Sequence, residues 1–194
     1  MVPIAQTKYT LLRKPHMNNK IVFTGGPGSG KTSVINYMRS AGYDTVPEVG
    51  RKVIQRQVDI NGIALPWLDK EAFRDEMVIE ETNNFRRCSN KALTLFDRSI
   101  VDSYGYSMLE QIPVPESLLK HCNELIYNQK VFVFPPWDSI YENDVERKQN
   151  FSEAIATYIE MVNAYHYFGY SLMEVPKVSV PERAKFILDN IEHK

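Results

Sequence analysis

An α/β fold, in which helices cover both faces of a parallel sheet of about five strands, is predicted by three observations on the sequence. Short apolar segments rich in β-branched and aromatic residues alternate with longer segments whose apolar residues recur at helical spacing. A glycine-rich octet joins the first strand to the first helix. No internal repeat and no low-complexity linker interrupts this alternation, so the strands are expected to form one sheet.

Length and composition are those of a soluble globular domain. The chain has 194 residues, and a domain of this size buries roughly 70% of the surface that its unfolded chain exposes. Hydrophobic residues make up 43% of the chain and charged residues 24%, with a net charge of −1. No basic run is long enough to follow a phosphate backbone. Nucleic acid and anionic membranes are therefore not expected as partners.

The distribution of cysteine and apolar residues favours a cytoplasmic protein. Cys88 and Cys122 lie far apart in no metal-binding or redox spacing, as expected in a reducing compartment. No apolar run approaches the roughly 20 residues of a membrane span. Residues 1–19 lack the apolar core of a signal peptide and are interpreted as an N-terminal extension or tag-like segment, with a basic targeting arm as the alternative. Residues 20–194 form the predicted domain.

Five strands are predicted from the short apolar segments. The segment 92–96 is the most apolar, and Pro135 and Pro136 end the next strand along the chain. The predicted strands are 20–24, 44–46, 92–96, 131–134 and 171–175.

Seven helices are predicted from helical spacing and from residues that favour helix ends. Gly42 suits a helix C-terminus, Asp69 a helix N-terminus, and Ser179 with Glu182 forms a capping box. The polar segment 137–149 is interpreted as a mobile loop. The predicted helices are 32–40, 50–58, 70–87, 100–110, 116–123, 151–166 and 180–191.

The octet GGPGSGKT matches the phosphate-binding pattern G-x-x-x-x-G-K-[ST] at every fixed position. Its glycines allow successive backbone N–H groups to point at phosphate oxygens, Lys31 reaches the β- and γ-phosphates, and the Thr32 hydroxyl is a ligand for Mg²⁺. An ordinary glycine-rich turn would not require lysine and threonine at these two places. The dinucleotide fingerprint G-x-G-x-x-G/A fails, since its last position falls on Lys31 or Ser33. The predicted nucleotide-binding residues are Gly25, Gly26, Pro27, Gly28, Ser29, Gly30, Lys31, Thr32 and Ser33.

Charged residues follow the second predicted strand, at the sheet edge where ligands collect in such folds. Glu48 and Arg51 lie one helical turn apart. The carboxylate would orient or deprotonate an acceptor hydroxyl, and the arginine would hold an anion. The alternative is a helix-starting glutamate, stabilised by the helix dipole, with a surface arginine.

Asp97 and Arg98 follow the third predicted strand. A carboxylate at the tip of an apolar strand beside the phosphate-binding strand favours a Mg²⁺ site built from Asp97 and Thr32. The alternative is that Asp97 caps the next helix. Asp102 is a weaker candidate for the same cleft.

The loop after the fourth predicted strand is rich in charge and would close over a phosphate site as a lid. Arg147 is the residue predicted to reach the transferring phosphoryl group, where negative charge develops. In the alternative interpretation the loop is solvated, and Arg147 pairs with Glu142 or Asp144.

Five segments together resemble the NadR-like P-loop family, which is grouped with AAA-type ATPases and includes ribosylnicotinamide kinase domains. These segments are GGPGSGKT, VPEVGR, LFDRS, FPPWDSIYENDVER and EVPKVSVPERAKFIL. The resemblance covers roughly residues 20–191 and is shared, more distantly, with thymidylate and deoxynucleoside kinases. It implies a compact nucleotide-kinase-like P-loop domain. It also implies phosphate and Mg²⁺ contacts for Lys31 and Thr32, a DR pair at Asp97 and Arg98, acceptor contacts for Glu48, Arg51 and Arg98, and a lid arginine at Arg147.

Three functional hypotheses follow. In the first, the protein is a small-molecule kinase that uses ATP and Mg²⁺, with a small hydroxyl-bearing, nucleoside-like acceptor and with Lys31, Glu48, Asp97 and Arg147 as catalytic residues. In the second, it is a regulatory ATPase or GTPase switch that acts on a protein partner. The third is a binding module without catalysis. No N-K-x-D motif for reading guanine is present, which favours ATP over GTP.

Overall fold

The computed structural model describes residues 18–141 and 150–191. Its centre is a five-stranded, all-parallel sheet, which confirms the predicted fold class. The strand order is β2-β3-β1-β4-β5. The strands are β1 (Lys20–Gly25), β2 (Asp44–Val46), β3 (Thr94–Asp97), β4 (Lys130–Phe134) and β5 (Ser171–Glu174).

Seven α-helices within the described residues connect and cover the strands, as predicted. A short 3₁₀ helix, Asp138–Ile140, also forms at the start of the segment predicted as a loop. The helices are α1 (Lys31–Ser40), α2 (Val49–Asp59), α3 (Lys70–Arg87), α4 (Ile100–Leu109), α5 (Glu116–Glu124), α6 (Phe151–Tyr167) and α7 (Val180–Asn190).

Side-chain alternation along the central strand β1 divides the core between the two faces of the sheet. Val22 packs into one cluster, which is completed by α4, α5 and α6. Ile21 and Phe23 pack into the other, against α1 and α7. All of β1 and β3 is buried, which explains why the centres of these strands are apolar at consecutive positions rather than at alternating ones.

Register places the functional segments at one edge of the sheet. Phe23 pairs with Asp97 on one side of β1, and Gly25 pairs with Phe134 on the other. The carboxyl ends of β1, β3 and β4 therefore lie side by side, with α1 beginning directly above β1. The side chains that follow these strands share one cleft.

Some predictions fall on residues outside the described ranges. Of the N-terminal extension 1–19, only Asn18 and Asn19 are described, and Arg147 is not. In the part of the chain that the structure covers, no helix combines the length and apolarity needed to cross a membrane.

Candidate active site

The glycine-rich loop curves tightly between β1 and α1. Gly25 has a φ of 130°, and a Cβ added there would lie 2.3 Å from the Phe134 carbonyl oxygen, so only glycine fits this close approach. Gly30 occupies the N-cap position of α1 in a left-handed conformation, with no side chain capping the helix. The first N–H groups of α1 are therefore directed at the space in front of the loop, which suits a phosphate group.

Lys31 lies folded back inside this loop. Its Nζ donates to the Gly26 carbonyl at 2.7 Å and, at 3.2 Å each, to the Gly25 carbonyl and the Ser29 hydroxyl. Burial, with the nearby positive charge of Arg98 as the second cause, lowers the pKa of Lys31 to about 7. Loop oxygens thus accept the hydrogen bonds that phosphate oxygens would otherwise accept, and a bound polyphosphate would restore the charge of the ammonium group.

Thr32 and Asp97 meet at the start of α1. The Thr32 hydroxyl donates to Asp97 Oδ2 at 3.2 Å. Asp97 Oδ1 is buried and has no hydrogen-bond partner among residues 18–141 and 150–191. Burial, and then the charge of Glu48, raises the pKa of Asp97 to about 6. A hydroxyl beside a buried, under-satisfied carboxylate fits Mg²⁺, which prefers oxygen ligands.

Asp97 does not cap the following helix, so that alternative is wrong. The N-cap of α4 is Ser99, whose side chain forms a capping box with Asp102. The Asp97 side chain is left to face the phosphate loop.

Arg98 joins the second and third strand ends. Its Nε donates to Glu48 Oε1 at 3.0 Å, and its Nη1 donates to Asp102 Oδ1 at 3.1 Å. Its backbone has a φ of 74°, a left-handed conformation that is unfavourable for a residue with a Cβ. Strain of this kind is retained where surrounding contacts fix the residue, and here it turns the guanidinium toward two carboxylates.

Asp102, which binds Arg98, is itself held by hydrogen bonds from buried groups. Its Oδ1 accepts from the Thr24 hydroxyl at 2.6 Å, and its Oδ2 accepts from the Tyr165 hydroxyl at 2.6 Å and from the Ser99 amide at 2.9 Å. Both oxygens are fully engaged. Asp102 therefore holds Arg98 in place and is unsuited to metal binding or proton transfer.

Glu48 occupies the N-cap position of α2, but its side chain makes no capping hydrogen bond. Its carboxylate instead binds Arg98, and its Oε2 lies 3.4 Å from Arg51 Nε. The alternative of a helix-starting glutamate explains the position of Glu48 along the chain but not the direction of its side chain. Arg51 is about half exposed at the mouth of the cleft, with 46% of its side chain accessible.

Residues after β4 cover the other side of the phosphate loop. The Tyr141 ring packs against Gly28, where an added Cβ would lie 2.5 Å from the ring. Arg183, from α7, donates to the Ser29 carbonyl at 3.4 Å and lies 5.4 Å from the centre of the Trp137 ring.

Three residues near the site were missed by the sequence interpretation: Tyr141, Arg183 and Glu81. Tyr141 and Arg183 lie within two of the segments that carry the family resemblance, but neither was assigned a role, and Glu81 lies in none of those segments. Burial raises the pKa of the α3 carboxyl group Glu81 well above its usual range, and the neighbouring Asp102 and Asp97 raise it further.

Comparison with known proteins finds a family match. Residues 20–183 match the family described as AAA domain. No curated protein matches the chain.

Several solved structures share the fold at low sequence identity. NadR in complex with NR has 15% identity and a TM-score of 0.63 over 90% of this chain, which spans 50% of that protein. Thymidylate kinase from Ehrlichia chaffeensis has 16% identity and a TM-score of 0.58, covering 89% of this chain and 98% of that one. Deoxyadenosine kinase from M. mycoides, with the products dCMP and dCDP bound, has 12% identity and a TM-score of 0.56, again over 89% and 98%.

Proposed function

The chain belongs to the AAA domain family, and from this premise we propose that it is a kinase that transfers the γ-phosphoryl group of ATP to a small, hydroxyl-bearing acceptor. The predicted NadR-like P-loop family is in agreement with this membership. Nucleoside-like acceptors are favoured because proteins of the same fold include a deoxyadenosine kinase and NadR in complex with NR.

One observation supports the proposal: Arg98 connects the proposed metal-binding residues to an acidic residue that follows the neighbouring strand β2. Asp97 precedes Arg98 in the chain and contacts Thr32, while Arg98 itself binds Glu48. A protein that only bound or slowly hydrolysed nucleotide would not need a carboxylate held at this second position. The arrangement suits transfer between two bound molecules.

The glycine-rich loop and α1 form the phosphate-binding side of the site. Backbone N–H groups bind the polyphosphate, and Lys31 exchanges its contacts with loop carbonyls for contacts with the β- and γ-phosphate oxygens. Thr32 and Asp97 would hold Mg²⁺. When bound, the metal supplies positive charge that neutralises the phosphate oxygens.

Glu48 and Arg98 act on the acceptor side of the site. The acceptor hydroxyl oxygen bonds to the γ-phosphorus, the bond from that phosphorus to the β–γ bridging oxygen breaks, and ADP leaves. Glu48 accepts the hydroxyl proton. Arg98 fixes the carboxylate, which reduces the reorganisation needed in the transition state.

Two arginines complete the proposal. Arg51, at the cleft mouth, would contact the acceptor and hold the anionic phosphate group that the acceptor gains on transfer. Arg147, outside the described residues, would bind the transferring phosphoryl group when the lid closes and excludes water.

The thiols Cys88 and Cys122 are free, which supports our assignment to the cytoplasm.

The test is release of ADP with and without a panel of nucleosides, in the presence of Mg²⁺. Release that depends on a nucleoside supports the kinase; release that no nucleoside stimulates contradicts it and favours a regulatory ATPase. Glu48→Gln should lower kcat by about 100-fold or more if Glu48 accepts the proton. Glu71→Gln, at an exposed position on α3, is the control and should keep the wild-type rate.

A further inference from the structure

Glu81 is a buried carboxyl group that the mechanism above does not use. It is 3% exposed, comparable to Asp97 at 2%. Its Oε2 has no hydrogen-bond partner in the part of the chain that the structure describes. A carboxyl group buried in this way destabilises the fold, because its lost hydration is not replaced.

Glu81 also lies on the apolar face of α3, where a carboxyl group is unexpected. Val78 lies three residues before Glu81 and Phe85 four residues after it, and both pack against the apolar cluster beneath the sheet. Residues at this spacing share one face of a helix. An apolar side chain would suit the same position, so packing alone gives no reason for a glutamate.

The surroundings of Glu81 are those of the acceptor side. Helix α3 packs against both α2 and α4, and Glu48 and Asp102 lie at the starts of those two helices. Burial raises the pKa of Glu81, and the negative charges of Asp102, Asp97 and Glu48 raise it further, with Arg98 opposing them. These residues come from β3, the start of α2 and the first turn of α4. Glu81 therefore extends the cleft with a fourth element, α3.

The charge balance limits what can bind there. Arg98 is already bound to Glu48 and Asp102. An anion would be repelled by the surrounding carboxylates, whereas a neutral group that donates and accepts hydrogen bonds would satisfy a protonated carboxyl.

We propose that Glu81 is a specificity-determining residue of the acceptor pocket, where its carboxyl binds a neutral hydroxyl or amide group of the acceptor. The acceptor class is accordingly an unphosphorylated nucleoside rather than a nucleoside monophosphate. This inference rests on the proposed kinase function. The buried carboxyl group destabilises the fold, and its role in selecting the substrate explains why a glutamate stands at this position.

Glu81→Met and Glu81→Gln test the proposal, using the panel nucleoside that gives the highest transfer rate. In Glu81→Met, the KM for this nucleoside should rise about tenfold or more, the KM for ATP should stay within about twofold, and Tm should rise. Glu81→Gln keeps a donor and an acceptor, and should therefore raise the nucleoside KM by less than Glu81→Met.

The neighbouring Glu80→Gln is the matched control. Glu80 is also largely buried, but it binds Lys52 and Arg56 at 2.9 Å each. Its replacement should lower Tm and leave the nucleoside KM unchanged.

The outcomes separate the two proposals. If no nucleoside supports transfer, the kinase function and this inference both fail. If transfer occurs but both Glu81 variants keep the wild-type nucleoside KM, or raise the KM for ATP in parallel, only the assignment of Glu81 is overturned. A higher kcat/KM for the nucleoside monophosphate than for the nucleoside would overturn the acceptor class.

Discussion

The Thr32 hydroxyl donates a hydrogen bond to Asp97 at 3.2 Å, although 65 positions separate the two residues. The register of β1 with β3 brings them together, since Phe23 pairs with Asp97 and the glycine-rich loop then returns the chain to Thr32. A strand pairing in the core thus determines the geometry of a proposed metal site.

Asp97→Asn should abolish the effect of Mg²⁺ on ATP binding. The amide keeps the shape of the side chain but lacks the negative charge that a divalent cation requires, and turnover should fall by about 100-fold or more. Calorimetric titration with ATP, with and without Mg²⁺, measures the first effect.

Thr32→Ser, which keeps the hydroxyl, is the control for this experiment and should retain the Mg²⁺ effect. An undiminished Mg²⁺ effect in Asp97→Asn would remove Asp97 from the metal site.

Nucleotide binding should exchange protons in opposite directions at acidic and basic pH. The pKa of Lys31 in the free protein is lowered to about 7, so at about pH 8 most of it is neutral, and a bound polyphosphate makes it take up a proton. The pKa of Asp97 is raised to about 6, so at about pH 5.5 a bound Mg²⁺ displaces its proton. Affinity for the Mg²⁺ complex should accordingly be greatest between these two values.

Calorimetry in buffers of different ionisation enthalpy measures this exchange. Uptake at about pH 8 should persist in Lys185→Met, whose ammonium pairs with Asp189 on the surface. Equal and same-signed exchange at both pH values would contradict the assignment.

Arg98→Lys should destabilise the protein and impair the acceptor side together. One ammonium group cannot reproduce the two directed contacts with Glu48 and Asp102, so a largely buried carboxylate loses its partner at a cost of roughly 3 kcal/mol. Urea denaturation measures the loss, and the KM for the acceptor should rise more than the KM for ATP. Arg39→Lys, on the exposed face of α1, should change the stability little; a similarly small change in Arg98→Lys would show that the ion pairs are weak.

Tyr165→Phe should lower stability with a smaller effect on ATP binding. The hydroxyl of Tyr165 lies 2.6 Å from both Asp102 Oδ2 and Ser99 Oγ in the buried interior, and its removal costs about 1–2 kcal/mol. Thermal denaturation with and without ATP measures both effects. The neighbouring, exposed Tyr167→Phe should leave Tm unchanged; equal Tm values for the two variants would contradict the anchoring role of Asp102.

Much of the fold follows from local sequence signals. The centres of β1 and β3 are apolar without alternation, as expected for parallel strands that are buried on both faces. The ends of the second and third predicted strands likewise indicated where Glu48 and Asp97 would lie. The predicted strand 92–96 was displaced by two residues at its start, because Thr94 is the first residue to pair with β1.

The rest of the site could not be predicted, because it depends on which helix face turns inward. Helix α3 carries Glu76, Glu80 and Glu81 within six positions, and only the packing of Val78 and Phe85 decides that Glu81 is the one turned inward. The left-handed conformation of Arg98 likewise has no signal in the sequence, since a non-glycine residue adopts it only under tertiary constraint.

The central claim, that the γ-phosphoryl group passes to a bound hydroxyl and not to water, is tested most directly by turnover in ¹⁸O-labelled water with ATP, Mg²⁺ and a nucleoside. Mass spectrometry should find a phosphorylated nucleoside without ¹⁸O as the main product and little ¹⁸O-labelled inorganic phosphate. Labelled inorganic phosphate as the main product, at a rate that no nucleoside changes, would contradict the account.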